Sequence, residues 1–292
     1  MECYLASLSG WPKFLQVAKP KHIELGDGKL VIPILYEDRS ILAVDKPAGW
    51  MLAPDSWDKT ARNLQLALQS SLNAGDFWAQ SRNLKFLRFI HRLDAETTGV
   101  LLFAKSSGAL QAYSELFETR QVAKEYLAVV QGIPGQTEWT CNLALAPDPT
   151  AKGLMLVITE TRHFGASALR SAAQDEFSKE AETHFRVRQT TQDTALIAAF
   201  PTTGRTHQIR VHLAASGHPI MGDALYGTAK HAASKGRQQL ALRAVKLAYR
   251  DPFQKRMIHI AAPVVEFLQT YGFSAEKENP AGSHPGTDRK PT

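Results

Sequence analysis

Two short apolar runs, Leu87 to Ile90 and Val100 to Ala104, flank a small, polar stretch from Ala95 to Gly99, a pattern that predicts strand, turn and strand with Asp94 at the break. Similar runs predict strands at Val31 to Leu35 and Ile41 to Asp45, joined by a turn over Tyr36 to Ser40. Further strands are expected at Glu125 to Gln131, Glu182 to Arg188 and Thr194 to Phe200. Helical spacing marks Thr60 to Asn73, with Leu64, Leu66, Leu68 and Leu72 as its core stripe, and Ser106 to Thr119, N-capped by Ser106. A helix beginning at Gly204 has Ile209, Val211 and Leu213 as apolar positions and Gly217 as its stop, and Pro263 opens a last helix ended by Gly272. Strands dominate without a regular βαβ alternation, which predicts an α+β fold, a mixed, largely antiparallel central sheet with flanking helices.

Met1 to Val31 has no clear period and no motif, and residues 1–33 are read as an N-terminal extension packed on a domain at 34–273. Residues 148–174 look like an insertion or a long hairpin region. The segment 274–292, rich in Pro, Gly, Ser and charge, is expected to be a disordered tail.

Composition narrows the setting. Cys3 and Cys141 cannot make a disulfide framework, and no Cys/His spacing suggests zinc, so a reducing cytosol is expected. No charged leader precedes an apolar stretch, and no run approaches the roughly 18 apolar residues of a membrane span, which predicts a soluble, cytoplasmic protein with no membrane partner. The net charge is +6, yet residues 205–256 alone hold ten Lys or Arg against Asp223 and Asp251. So concentrated a basic segment is either a solvated face or an electrostatic footprint for phosphates.

Chemistry gathers in two places. The first is His91-Arg92-Leu93-Asp94, where the acid caps a strand and faces a loop. The second holds Arg205, Thr206, His207, Gln208, Arg210 and His212 within eight residues. Arg205 and Arg210 are five apart and point in different directions, so each needs its own partner. A planar guanidinium held by packing suits a carboxylate or a phosphate.

Together these segments resemble the RluA family of RNA pseudouridine synthases. The family's H-R-L-D and following Thr-Ser-Gly turn are matched by His91 to Asp94, Thr97 and Gly99, with Thr98 in place of Ser. Gly204 to Arg210 meets its G-R-[TS]-H-Q-[IL]-R motif, and Gly217 to Asp223 its G-H-P-I-x-G-D sequel. Lys46-Pro47-Ala48-Gly49 is similar to its K-P-x-G, and Lys124-Glu125-Tyr126 to its K-x-Y element. The chain departs from the family at Met51-Leu52-Ala53-Pro54, where a His-Pro pair is usual, and at Leu240-Ala241-Leu242-Arg243, where Leu-His-Ala is expected.

The resemblance implies the pseudouridine synthase fold and isomerisation of uridines in tRNA or rRNA, by a monomer, with neither metal nor other cofactor. It makes Asp94 the nucleophile, Arg210 the cation that holds it charged and Tyr126 the residue lying against the uracil. Arg92 is associated with the space vacated by a flipped base. His91 and His207 brace the segments that carry their neighbours, and Lys46, Arg205 and Gln208 join Arg92, His91 and His207 as the residues around the substrate. Lys230, Lys235, Arg237 and Arg243 are expected to contact phosphates. Other readings are a catalytically silent RNA-binding protein and a metal-dependent hydrolase using Asp94, His207 and His212. A phosphotransferase, suggested by similarity to the kinase H-R-D, lacks a Gly-rich phosphate loop and a D-F-G.

Overall fold

The computed structural model describes residues 18–26, 29–52, 62–158, 177–227 and 239–275. The tail beyond 275, residues 1–17, the stretch 159–176 and the cations Lys230, Lys235 and Arg237 lie outside the described residues.

One sheet organises the molecule. Its strands are β1 (His22–Leu25), β2 (Leu30–Glu37), β3 (Ile41–Lys46), β4 (Arg88–Phe89), β5 (Thr98–Ala104), β6 (Val122–Gln131), β7 (Glu138–Cys141), β10 (Thr183–Thr190), β11 (Thr194–Pro201), β12 (Leu242–Arg250) and β13 (Met257–Ala261). The order is β1-β2-β3-β5-β12-β6-β11-β10-β7, with β4 added to β5 and β13 to β12. Only β5 and β12 pair in parallel among these strands. The expected mixed, largely antiparallel α+β sheet is therefore present. A separate hairpin pairs β8 (Leu145–Pro147) with β9 (Met155–Val157), and its turn and second strand fall in the described part of the 148–174 region.

Successive residues of the central strands enter two different cores, because side chains alternate across a strand. Leu101 and Phe103 of β5 join Leu42, Val44, Leu127 and Val129 on one face. Val100, Leu102 and Ala104 join Ile41, Ala43, Leu247 and Tyr249 on the other. Such two-sided burial is why β5 reads as an unbroken apolar run.

The helices close these faces. α1 (Leu64–Ala74) is capped by the Asn63 side chain on the Leu66 N–H and ends at Gly75 in the left-handed conformation. The short α2 (Phe77–Gln80) follows it. Leu64 and Leu68 are buried as expected, but Leu66 is 58% exposed. Leu66 lies two residues from either neighbour, about 200° around a helix, which turns it away from the face they share. α3 (Ser107–Glu118) starts at Ser106, whose side chain caps Ala109 N–H as expected. α4 (Gln208–Ala215) and α5 (Val265–Thr270) complete the set of described helices.

The sequence reading missed β1, which adds an edge strand from a stretch with no clear period, and β12, the strand between β5 and β6. β6 pairs with one edge of β12, leaving β5 and β13 to share the other. At the start of the parallel pair, Gly99 opposes Ala244 with φ at 107°. A Cβ there would overlap the Ala244 carbonyl. Gly99→Ala should therefore cost about 3–5 kcal/mol, a fall in Tm of roughly 10 °C, readable in a thermal melt. An unchanged Tm would mean that this close approach is not a fixed feature of the sheet.

Candidate active site

The junction of β5, β12, β6 and β11 opens into a cleft of about 460 Å³ whose walls include Arg92, Asp94, Lys124, Tyr126, Arg205, His207 and Arg210. Asp94 lies on the loop leading into β5, four residues before Thr98. Lys46 holds that loop. Its ammonium donates to the carbonyls of Pro47 (3.0 Å), Ala95 (2.7 Å) and Thr97 (2.9 Å), one proton to each. Burial pushes the Lys46 pKa down to about 8, against the pull of Asp94 and then Glu96. Lys46 is fully buried. It therefore secures the loop that carries Asp94 and, enclosed there, does not line the cleft, although the sequence had placed it among the residues around the substrate.

Arg210 comes from α4 on the opposite wall. Its guanidinium donates twice to Asp223, Nε to Oδ2 and Nη2 to Oδ1, both at 2.8 Å, while Nη1 donates to Asp94 Oδ2 at 3.2 Å. The Asp223 side chain has no exposed surface. Burial pushes its carboxyl up, but the Arg210 guanidinium and the backbone N–H groups of Leu225 and Tyr226 more than reverse this, and it sits below its ordinary value. Arg210 is thus aimed at Asp94 by a bidentate pair formed behind it. The Tyr226 ring adds a face 5.2 Å from the guanidinium carbon. Sequence reasoning left Asp223 and Tyr226 out of the site, although Asp223 closes a motif it had marked and Tyr226 follows three residues later.

The helix expected from Gly204 begins only at Gln208, because His207 adopts a left-handed conformation (φ 55°) that no helix can include. His207 Nε2 lies 3.9 Å from Asp94 Oδ2. Gln208 is buried and fully engaged. Its oxygen accepts from Thr203 Oγ1 (2.6 Å) and Arg205 N–H (3.0 Å), and its nitrogen donates to Glu182 O and Thr183 Oγ1, both at 2.9 Å. Gln208 therefore ties the 203–205 loop to the start of β10 from the wall of the cleft. Arg205 turns away from Arg210 and donates from Nε to Glu180 O at 2.9 Å.

Tyr126 sits on β6 between Ala244 of β12 and Ala199 of β11. These small neighbours leave room for its ring beside the cleft. Burial, and then the Asp94 charge, raise its phenol well above the ordinary value. It stays protonated near neutral pH, which suits stacking and not proton abstraction. Two residues earlier, Lys124 donates to Thr203 O at 2.8 Å, and burial followed by the Arg120 charge pushes its pKa down to about 8.

His91 is neutral. Burial, with Lys124 acting in the same direction, pushes its pKa down to about 3 against a hydrogen bond to the Arg92 backbone. Its Nε2 accepts the Leu102 N–H at 3.2 Å and its ring stacks on Phe117. Those contacts tie the segment that carries Asp94 to β5 and α3. Arg92 is exposed at the edge of the cleft.

Two expectations fail on geometry. Arg243 is buried in β12, donating to Asp45 Oδ2 (2.6 Å) and Pro263 O (2.9 Å), and is not placed for phosphate. Nor do the described cations of 205–256 form one surface. Arg210 and Arg243 are internal, Lys246 lies 3.7 Å from Glu125, and Arg250, Lys255 and Arg256 lie at the β12–β13 turn. The ligand set imagined for a metal hydrolase does not converge either. His212 is fully buried and directs its ring nitrogens to Thr183 Oγ1 and Leu143 O, both at 3.0 Å.

A mixed sheet bearing an aspartate on the loop before a central strand, with an arginine and a tyrosine converging on it, is the arrangement the sequence motifs imply for isomerising a nucleoside. The family model described as RNA pseudouridylate synthase matches residues 40–215, and the chain belongs to that family, in its RluA branch. It is an RNA pseudouridine synthase, an isomerase. The chain is 32% identical over 241 residues to ribosomal large subunit pseudouridine synthase C of Escherichia coli (strain K12), covering 81% of this chain and 67% of that one. It is 30% identical over 245 residues to the protein of the same name from Buchnera aphidicola subsp. Schizaphis graminum (strain Sg), covering 82% and 69%. The solved structure of human RNA pseudouridylate synthase domain containing 1 is similar with a TM-score of 0.60 and 25% identity, over 80% of this chain and 83% of that one. Among the described residues no helix is long and apolar enough to cross a membrane.

Proposed function

We propose that the enzyme isomerises uridines of ribosomal RNA with Asp94 as its nucleophile. The observation that carries this reading is the one-sided restraint of Asp94. Arg210 Nη1 and His207 Nε2 both address Oδ2, which leaves Oδ1 for the substrate. The reaction exchanges the bond from N1 to C1′ for one from C5 to C1′, while a proton leaves C5 and one is gained at N1. No oxidant or reductant is consumed. Asp94 supplies the covalent partner while the base turns, and the protonated Tyr126 supports the uracil. The ribosomal substrate rests on the curated relatives, both of which are ribosomal large subunit enzymes. Incubation of the purified protein with ribosomal RNA and with tRNA, followed by mapping of pseudouridine, tests this assignment. Formation confined to tRNA would overturn the substrate, and formation in neither would overturn the reading.

RNA must also be held at the mouth of the cleft, where Arg120 is exposed and Arg205 is half-buried. Replacing both by Gln should weaken RNA binding irrespective of sequence and flatten the slope of log affinity against log salt by about 1–2. Filter binding across a salt series measures this. An unaltered slope would remove these two cations from the interface.

A further inference from the structure

We propose that Tyr226 is a positioning residue that places the imidazole proton of His207 on Nε2, so that His207 offers a hydrogen-bond donor to Asp94 Oδ2. The inference deepens the reading of Asp94 as nucleophile and rests on it.

The phenolic oxygen of Tyr226 has two partners. The backbone N–H of Met155, at 2.9 Å, can only donate, so the oxygen accepts there. The other partner is His207 Nδ1, also at 2.9 Å. A phenol carries a single proton, and Nδ1 is where it can be used. Burial raises the Tyr226 pKa above the ordinary value, against the Met155 N–H and the Arg210 charge, which keeps that proton in place. Nδ1 then acts as acceptor, and the proton of a neutral imidazole belongs to Nε2, the nitrogen 3.9 Å from Asp94 Oδ2. That separation is longer than a hydrogen bond, as catalytic contacts commonly are before substrate is bound.

The surroundings fix Tyr226 itself. Asp223 Oδ1 accepts from the backbone N–H groups of Leu225 (2.9 Å) and Tyr226 (3.1 Å) in addition to Arg210, so one carboxylate sets both the arginine and the turn that carries the tyrosine. The ring meets His207 edge-on, centroids 5.7 Å apart at 74°, and lies under the Arg210 guanidinium. A single side chain thereby touches both groups that address Asp94. Met155 opens β9, and the β8–β9 hairpin packs on α4 through Leu145 and Val211. The Met155 hydrogen bond consequently ties the hairpin to the orientation of the catalytic pair.

Nitrogen NMR of the full chain labelled in histidine tests the proposal, since the two ring nitrogens of a neutral imidazole resonate far apart and report the tautomer. His207→Gln assigns the signal. The wild-type protein should show His207 protonated at Nε2. Tyr226→Phe, which keeps the ring, should admit the Nδ1-protonated form and lower turnover on ribosomal RNA about tenfold while leaving RNA affinity unchanged. His207 protonated at Nδ1 in the wild type would overturn the proposal, and this needs no variant to fold. A Tyr226→Phe protein with unchanged tautomer and turnover would overturn it as well. Failure of Asp94 as nucleophile is detected separately, by activity of Asp94→Asn, and leaves the tautomer measurement standing.

Discussion

Asp94→Asn is expected to abolish pseudouridine formation, with turnover reduced by at least about 10⁴-fold. The substitution is nearly isosteric and keeps an oxygen that can accept from Arg210 Nη1, so the fold and the cleft should survive. An amide lacks the nucleophilicity of a carboxylate, and Asp223, the other carboxylate held by Arg210, is enclosed behind it and does not line the cleft. The assay should accompany a thermal melt and an RNA-binding titration. Both should match the wild type to within small differences. A well-folded Asp94→Asn protein that still converts its RNA at an appreciable rate would refute the mechanism.

Arg210→Lys is expected to lower turnover by about 10²–10³-fold, with a smaller effect on RNA affinity. Lysine preserves the charge but replaces a rigid fork with a single ammonium. Arg210 uses Nε, Nη1 and Nη2 on two carboxylates simultaneously, a geometry that an ammonium cannot reproduce. Asp223→Asn should lower turnover in the same manner although it lies outside the cleft, since it weakens the pair that aims the arginine. Combining the two substitutions should cost much less than the sum of the single effects, because both disturb one network. Near wild-type turnover in either single variant, measured with folded protein, would show that the aiming of Arg210 is dispensable.

Much of the site was legible locally. The break between two apolar runs located Asp94, since a loop residue between buried strands is held but not covered. The Ser106 cap and the left-handed Gly75 and Gly272 follow rules confined to a few neighbouring residues. The charge of residues 205–256 was misleading for a related reason. A sum of charges carries no direction, and it obscured the apolar alternation of Ala244-Val245-Lys246-Leu247-Ala248-Tyr249, which makes β12 a central strand.

Partner choice was decided by the tertiary structure. Arg243 meets Asp45 across 198 positions, and Arg210 meets Asp94 across 116. Lys46 finds the carbonyls of the Asp94 loop only because β3 pairs with β5, bringing Lys46 opposite Gly99. Gln208 finds the Glu182 carbonyl and Thr183 Oγ1 only because folding brings the start of β10 beside α4. The sequence by itself marked Asp94, Arg210 and most of the strands around them, because motif spacing and alternation are written in neighbouring residues. Which polar side chains face the substrate and which hold those that do was decided by strand order, since a donor in the interior bonds to whichever acceptor folding brings within about 3 Å.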